Sequence, residues 1–478
     1  LRPGGALETM EPNRPLYFSL FSAIFARHLR RYFCLWCPPK ADGYLLAAPK
    51  SVAYMKKILR KFVLFLLKVM AKHRMKKFKG KIIAVTGSVG KTSTKEAIFN
   101  VLNAQFKVKR NQKSFNSEFG LLLTILDIES GFSSAAKWSW YLMKGFWHCL
   151  IRDYSEILLL ELGVDKPGDM DFLTSVVKPD IAVITNISSV HLGEGQFKDV
   201  NDVFEEKSKL VHALKPHGRV ILNIDNEFLS SLAKKLGKKA VTFGKDRDAD
   251  YWASQITSSL GGVDFVLHFD NKRYDVKGGV IGDYQAYVIL PAIICGVEMG
   301  MSIEVTIHAV ERFVTPPGRM TVIPAINEAV ILDSSYNSSP AALKEALNLL
   351  KTLGEGKRKI AVLGNMNELG KYSKALHEEI GALIPQCADL LLTVGTDAAV
   401  IAGAAQSCGL KVKQIFKFKN VFEASEFFKD KVQKNDLILV KGSQNNVRLE
   451  RFVKALMANP EDAGKLLVRQ ENVWQNKA

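Results

Sequence analysis

From residue 81 onward, short apolar runs alternate with segments whose apolar residues recur every three or four positions. Ile82-Ile83-Ala84-Val85 reads as a buried strand, and residues 91–102 have helical spacing. The runs at 157–160 and 181–185 predict further strands, and residues 203–214 a helix. Alternation over 251–276, around Gly261-Gly262, predicts a hairpin. Helices are expected at 284–299 and 303–313, after which Thr315-Pro316-Pro317-Gly318 breaks the chain. A second series then predicts strands at 329–333, 360–363, 390–394 and 436–440. Its helices are expected at 341–353, 374–384, 421–432 and 447–457. Strands alternating with helices imply parallel sheets, so the fold class is α/β. The expected organisation is a central parallel-sheet domain over residues 81–316 and a Rossmann-like C-terminal domain over 317–478. A basic helical N-terminal leader over residues 1–80 precedes them.

Charge separates the leader from the rest. The chain has 478 residues and a formal net charge of +18. Residues 1–81 hold 18 Lys/Arg and 3 Asp/Glu, whereas the other 397 hold 48 and 45. A nearly neutral body does not suit a nucleic-acid binder, so no nucleic-acid partner is expected. The longest uncharged run in the leader, residues 15–26, has 12 residues and is too short to span a bilayer. Residues 54–79 mix Phe62, Leu64, Phe65, Leu66, Leu67, Val69 and Met70 with Lys and Arg. That pattern predicts a basic amphipathic helix, lying on anionic lipid or packed against the body. Met55 followed by Lys56-Lys57 also reads as a chain start, which would make residues 1–54 an upstream extension. Six cysteines suit a reducing compartment, and Cys34 and Cys37 lack a second pair at zinc-site spacing.

The candidate chemistry begins at Thr86-Gly87-Ser88-Val89-Gly90-Lys91-Thr92, between a predicted strand and a predicted helix. Glycines there let backbone N–H groups close on phosphate oxygens, with the helix N-terminus behind them. Lys91 supplies a point charge for the outer phosphates, and Thr92 a hydroxyl for Mg²⁺. The ordinary spacing would put a glycine where Val85 stands, so this is a shortened phosphate loop. It makes the central domain a phosphate-loop ATPase domain. No N-K-x-D guanine-reading motif accompanies it.

Together with several segments further along the chain, this loop resembles the Mur ligase family of ATP-dependent amide-forming enzymes, from about residue 81 to the C-terminus. The matching segments are residues 86–94 (TGSVGKTST), Asn116-Ser117-Glu118-Phe119-Gly120, Glu161-Leu162-Gly163, Asn186 to His191, and Lys207. Beyond the break they are Pro317-Gly318-Arg319-Met320, residues 333–340 (DSSYNSSP), residues 363–370 (LGNMNELG) and Lys441-Gly442-Ser443. None is decisive alone; their number and order make the match specific.

The resemblance implies a nucleotide site at Gly87, Ser88, Gly90, Lys91, Thr92 and Ser93, completed by Arg319 and Asp333 from the C-terminal domain. It implies Mg²⁺ at Thr92, Glu161, His191 and Lys207, the lysine as a carbamate, with Lys209 the competing choice. Lys91, His191 and Lys207 would be the catalytic set, and Asn116, Asn365, Asn367, Glu368, Lys441 and Ser443 would face substrate. Read as residues alone, several have blander explanations. Glu161 could be a solvated strand end, His191 a structural histidine, Lys207 part of a charged helix face, and residues 363–370 a structural turn.

The implied reaction is two-step ligation. ATP converts a carboxylate to an acyl phosphate, and an amine then displaces phosphate. Ser335-Tyr336-Asn337, residues 363–370 and Lys441-Gly442-Ser443 favour the branch that joins D-alanyl-D-alanine to a UDP-linked muramyl tripeptide. The alternatives are a related ligase of folate or polyamide type and a membrane-associated ATP-binding protein without catalysis. Four places depart from the family pattern. Ser334 follows Asp333 where a second Asp is usual, Ser117 stands for Asn, Tyr284-Gln285 stands for His-Asn, and the leader stands where a UDP-gripping α/β domain is usual. The chain is expected to act as a monomer in the cytoplasm, with peripheral membrane contact through the leader.

Overall fold

The computed structural model describes residues 50–111, 116–131, 134–189, 195–444, 447–471 and 474. The chain opens with helix α1 (Lys50–Lys77), strand β1 (Lys81–Thr86), α2 (Lys91–Leu102) and β2 (Val108–Arg110). Then come α3 (Glu118–Leu126), α4 (Ala135–Leu150), β3 (Ile157–Glu161), α5 (Asp169–Thr174), β4 (Ile181–Ile184) and α6 (Val200–His212). Strands β5 (Arg219–Asn223), β6 (Ala240–Gly244), β7 (Tyr251–Ser259), β8 (Gly262–Phe269) and β9 (Lys272–Gly278) come next, with a helix at Glu227–Leu236 after β5. Helices at Ala286–Glu298 and Ile303–Glu311 lead to β10 (Thr321–Pro324), β11 (Val330–Ser334), β12 (Lys359–Gly364), β13 (Leu390–Val394), β14 (Ile415–Phe418) and β15 (Leu437–Lys441).

Two compact units emerge. One holds residues 79–118 and 155–478; the other holds residues 119–154 with the chain up to Phe78. Residues 119–154 thus lie inside the range expected for the central domain but cluster with α1.

In the larger unit a nine-stranded sheet runs β2-β3-β1-β4-β5-β6-β7-β8-β9. It is parallel from β2 to β7, and β7, β8 and β9 pair antiparallel. Strands β1, β3 and β4 read as unbroken apolar runs because they sit mid-sheet and are buried on both faces. The expected hairpin is β7 and β8. Gly262 at its turn has φ +147°, and a Cβ there would stand 2.1 Å from the Gly278 carbonyl oxygen. A six-stranded sheet of order β10-β11-β15-β12-β13-β14 carries the C-terminal part, parallel except for β10. The four strands expected there form its interior. β10 and β14, which were not expected, are short edge strands. In each sheet the parallel strands deliver their C-terminal ends to one rim, where α/β sheets bind ligands.

In the smaller unit α1 realises the predicted amphipathic helix and packs with α4. Val63, Leu67, Ala71 and Arg74 are its buried stripe. Arg74 reaches Asp127 at 2.8 Å and Asp153 at 3.2 Å. Trp138, Leu142 and Cys149 are buried on α4, and Ser134 caps its N-terminus. A Cβ on Gly145 would stand 3.2 Å from Ile128, tighter than ordinary contact, and Met70 lies on the same side at 3.7 Å. Among the described residues no helix is long and apolar enough to cross a membrane.

Candidate active site

The phosphate loop leaves β1 and enters α2 through two glycines in the left-handed region, Gly87 (φ +146°) and Gly90 (φ +84°). A Cβ on Gly87 would sit 2.1 Å from Thr185 Oγ1, so the loop can lie against the end of β4 only with glycine there. Ser88 ties the two together. Its N–H donates to the Asn186 carbonyl at 2.7 Å, its Oγ donates to the Ser188 carbonyl at 3.1 Å, and it accepts from Ser188 N–H at 3.0 Å. Thr185 Oγ1 donates to the Val89 carbonyl at 2.6 Å.

Lys91 and Thr92 open α2. The Lys91 ammonium donates to the carbonyls of Gly87 (2.8 Å) and Ser88 (3.2 Å), folding back over the loop. Burial lowers its pKa; Glu161 and Asp165 oppose the shift, and Arg319 adds to it. Thr92 Oγ1 donates to Glu161 Oε2 at 2.8 Å and accepts from Arg319 Nη2 at 3.1 Å. Ser93 stands on the same first turn.

Glu161 ends β3 and is 1% exposed, so it is not a solvated strand end. Asn116 Nδ2 donates to its Oε1 at 3.0 Å. Asn111 brackets its backbone, accepting from Glu161 N–H at 2.9 Å and donating to its carbonyl at 3.0 Å. Gly163 lets Asn116 lie close, since a Cβ there would meet its amide at 2.8 Å. Asn111 was not foreseen, although its place just past β2 is where a strand end would carry function.

Lys207 and Lys209 differ sharply. Lys207 faces inward from α6, is fully buried, and its Nζ has no hydrogen-bond partner among the described residues. Burial, then the Lys91 charge, hold its pKa well below the ordinary lysine value; Asp165, Glu206 and Asp169 resist. Lys209 donates to Asp171 (2.6 Å) and Glu206 (2.8 Å), and those bonds raise its pKa. Glu206 in turn accepts from the N–H groups of Gly168 and Met170 at the start of α5. Lys209 therefore belongs to a structural ion pair. His191 lies outside the described residues.

From the C-terminal part, Arg319 reaches Thr92 and lies 4.3 Å over the Tyr336 ring. Asp333, at the end of β11, is fully buried. Its Oδ1 accepts from Ser335 N–H at 3.0 Å, while Oδ2 has no partner among the described residues. Burial pushes its carboxyl up to about 6. Lys441 donates to Ser334 Oγ and the Asn337 carbonyl, both at 3.0 Å, so the unusual serine is the partner of this buried cation. Burial, then Arg319, push Lys441 down to about 8.

The remaining expected residues sit at the ends of β12 and β15. Ser443 N–H donates to the Asn365 carbonyl at 2.9 Å, and its Oγ accepts from Asn367 N–H at 3.0 Å. Asn365 Oδ1 caps the helix at Ala398–Ser407 through Ala398 N–H, 2.8 Å, so its side chain is already committed. Glu368, in the left-handed region at φ +63°, adds negative charge felt by Lys91. Buried His377 accepts from Met366 N–H at 3.1 Å and fixes the turn; no sequence signal marked it. Gln285 is buried beside the half-buried Tyr284, and its Oε1 has no partner among the described residues.

Beyond burial, the Arg319 charge lowers the pKa of Lys91 and of Lys441, and the Lys91 charge lowers that of Lys207. Such a site awaits a polyanion, whose phosphates relieve the repulsion. Thr92 and Glu161 add hard oxygen donors suited to Mg²⁺.

Known proteins resemble the chain in sequence and in fold. Residues 85–296 match the Mur ligase middle domain, and residues 318–444 match the Mur ligase glutamate ligase domain. A Bacillus subtilis protein named UDP-N-acetylmuramoyl-tripeptide–D-alanyl-D-alanine ligase is 29% identical over 397 residues, covering 82% of this chain and 79% of that protein. The crystal structure of MurF ligase from Thermotoga maritima in complex with ADP is 25% identical, with a TM-score of 0.67, covering 88% of this chain and 86% of that one. MurF from Acinetobacter baumannii, at 23% identity and a TM-score of 0.68, shares the fold over 83% of this chain and 81% of that one. Two family domains in their proper order, carrying the phosphate loop and the arginine that reaches it, establish that the chain belongs to the Mur ligase family.

Proposed function

We propose that this chain is an ATP-dependent ligase that joins D-alanyl-D-alanine to a UDP-N-acetylmuramoyl tripeptide. The observation that carries the reading is the meeting of Lys91, Thr92, Glu161 and Arg319 on one phosphate loop, in a chain whose relatives bear that enzyme's name. ATP is the phosphoryl donor, and the triphosphate takes the loop N–H groups and the Lys91 ammonium, which leaves its carbonyl partners to do so. Arg319 joins from the C-terminal part, its planar fork suited to phosphate. Asp333 Oδ2, an acceptor without a donor, suits a ribose hydroxyl.

Thr92 and Glu161 would hold Mg²⁺, joined by His191 and by Lys207 as its carbamate. The fit of Lys207 rests on its buried, unpartnered amine of lowered pKa. A neutral amine adds to CO₂ and loses one proton, which converts a costly buried cation into an oxygen ligand. Bound there, the ion would supply positive charge against the triphosphate oxygens.

The tripeptide carboxylate is itself anionic and resists attack by an amine. Its oxygen takes the γ-phosphoryl group, with Lys91 and Arg319 neutralising the charge that develops. We assign Asn116, Asn365, Asn367, Glu368, Lys441 and Ser443 to the peptide and the incoming amine. The amine of D-alanyl-D-alanine attacks the acyl carbon, the C–O bond to phosphate breaks, and the nitrogen sheds its proton. We place the enzyme in the cytoplasm, in peripheral contact with the membrane. The test is ADP release with the muramyl tripeptide, with and without D-alanyl-D-alanine. Dependence on both is expected; release that ignores D-alanyl-D-alanine, or answers instead to a folyl or other acceptor, would refute the assignment.

A further inference from the structure

Helix α4 is apolar on both sides. Trp138, Leu142 and Cys149 are buried, yet Trp140 (58%), Phe146 (55%), Trp147 (57%) and Leu150 (48%) are exposed, as are Ile151 and Tyr154 just beyond. At about 100° per residue, positions 140, 143, 147 and 150 fall within roughly 80° of arc, opposite the buried stripe. Soluble surfaces scatter single apolar residues; a continuous aromatic stripe marks an interaction face. The two helices that carry it are basic, and of the acidic residues beside them Asp127 and Asp153 are paired with Arg74 while Glu129 accepts from the Tyr141 hydroxyl. Across α1 and α4 there are 12 Lys/Arg and no Asp or Glu. α1 carries an exposed apolar stripe of its own at Tyr54, Ile58, Phe62, Phe65 and Val69, with Lys61 and Lys72 exposed beside it.

We propose that the outward stripe of α4, Trp140, Met143, Phe146, Trp147 and Leu150, inserts into the interface of an anionic bilayer, with the lysines of α1 and α4 supplying the attraction to its headgroups. This rests on the peripheral-membrane reading above and names the surface that makes the contact. Trp and Tyr suit this depth because their rings are apolar and their N–H and O–H groups reach water. The long stems of Lys137 and Lys144 let their charges rise to the phosphate layer. A second copy of this chain is disfavoured as the occupant, because two such basic units repel. The arrangement is that of a helix lying in the interface, not crossing it.

The test uses the full-length chain with phosphatidylglycerol vesicles at low salt, read by co-sedimentation and by quenching of tryptophan fluorescence with brominated phosphatidylglycerol. Wild type should bind, bind phosphatidylcholine at least about 10-fold more weakly, and be released by high salt. Trp140→Phe with Trp147→Phe should keep binding but lose most of the quenching. Trp140→Ser with Trp147→Ser should bind at least about 10-fold more weakly, with ADP release and circular dichroism unchanged. Wild type that ignores anionic vesicles would overturn both the membrane reading and this surface. Wild type that binds while the double serine variant binds equally well would overturn the surface alone. Loss of self-association in the serine variant, with no vesicle binding by wild type, would point to a second copy instead.

Discussion

Asp333→Asn should remove a pH-dependent weakness from the C-terminal part of the chain. The Asp333 carboxyl is fully buried, with one oxygen bonded to Ser335 N–H and the other unpartnered, and burial lifts its pKa to about 6. The unfolded chain holds the same group near the ordinary value of about 3.9. Between those values the native state binds more protons than the unfolded state, so stability falls as pH rises through them. Two pKa units correspond to about 3 kcal/mol once ionisation is complete, and roughly 1.4 kcal/mol of that is lost between pH 5 and pH 8. Asparagine cannot ionise, so the wild-type-minus-variant difference in unfolding free energy should change by this amount across that interval. Any fixed cost of the new amide cancels in the slope. Urea unfolding at pH 5, 6, 7 and 8 measures it. A difference flat with pH would refute the argument that the buried carboxylate is strained by ionisation. Saturating ADP should shrink the slope if a ribose hydroxyl donates to Oδ2, because a donor lowers the native pKa.

Lys91→Ala should lose at least about 100-fold in turnover, with unfolding midpoints little changed, since no other cation stands inside the phosphate loop. Lys207→Ala should be inactive and regain part of its ADP release with short carboxylic acids; Lys209→Ala should stay within about 2-fold of wild type, and the reverse pattern would move the carbamate to Lys209. Arg319→Ala should raise the KM for ATP about 10-fold or more, measured by initial rates, and Arg319→Lys should recover little of it, because the ammonium lacks the planar fork.

What could be read from the sequence was what the local pattern determines. β1, β3 and β4 announce themselves because strands covered on both faces need unbroken apolar runs. The loop from Gly87 to Thr92 is visible for the same local reason. β14 was not legible, since Ile415-Phe416-Lys417-Phe418 is four residues long and pairs on one side only. α4 was not read from the sequence either, although Trp138, Leu142 and Cys149 recur at helical spacing on its buried side. The site behaves likewise. Asn111 and Asp165 act across tens of residues and His377 across 11, so no neighbouring motif marks them. The contrast between Lys207 and Lys209 is also tertiary, set by which side of α6 meets the core and by where Asp171 and Glu206 stand.

The reciprocal Ser88–Ser188 bonds have a kinetic meaning. A phosphate loop that its ligand had to order would cost about 1–2 kcal/mol for each residue fixed. Here the loop is sewn to the residues after β4 by bonds that exist before any nucleotide arrives. Its conformational entropy was surrendered during folding, so nucleotide capture is closer to docking on a rigid template than to induced ordering. The side chains that still have to move are Lys91, which must leave two carbonyls, and Arg319, which must release Thr92. The rate of nucleotide entry should therefore track the breaking of those few bonds. Swapping Ser88 for alanine would cut the stitch and turn a fast single-phase association into a slower one limited by loop ordering.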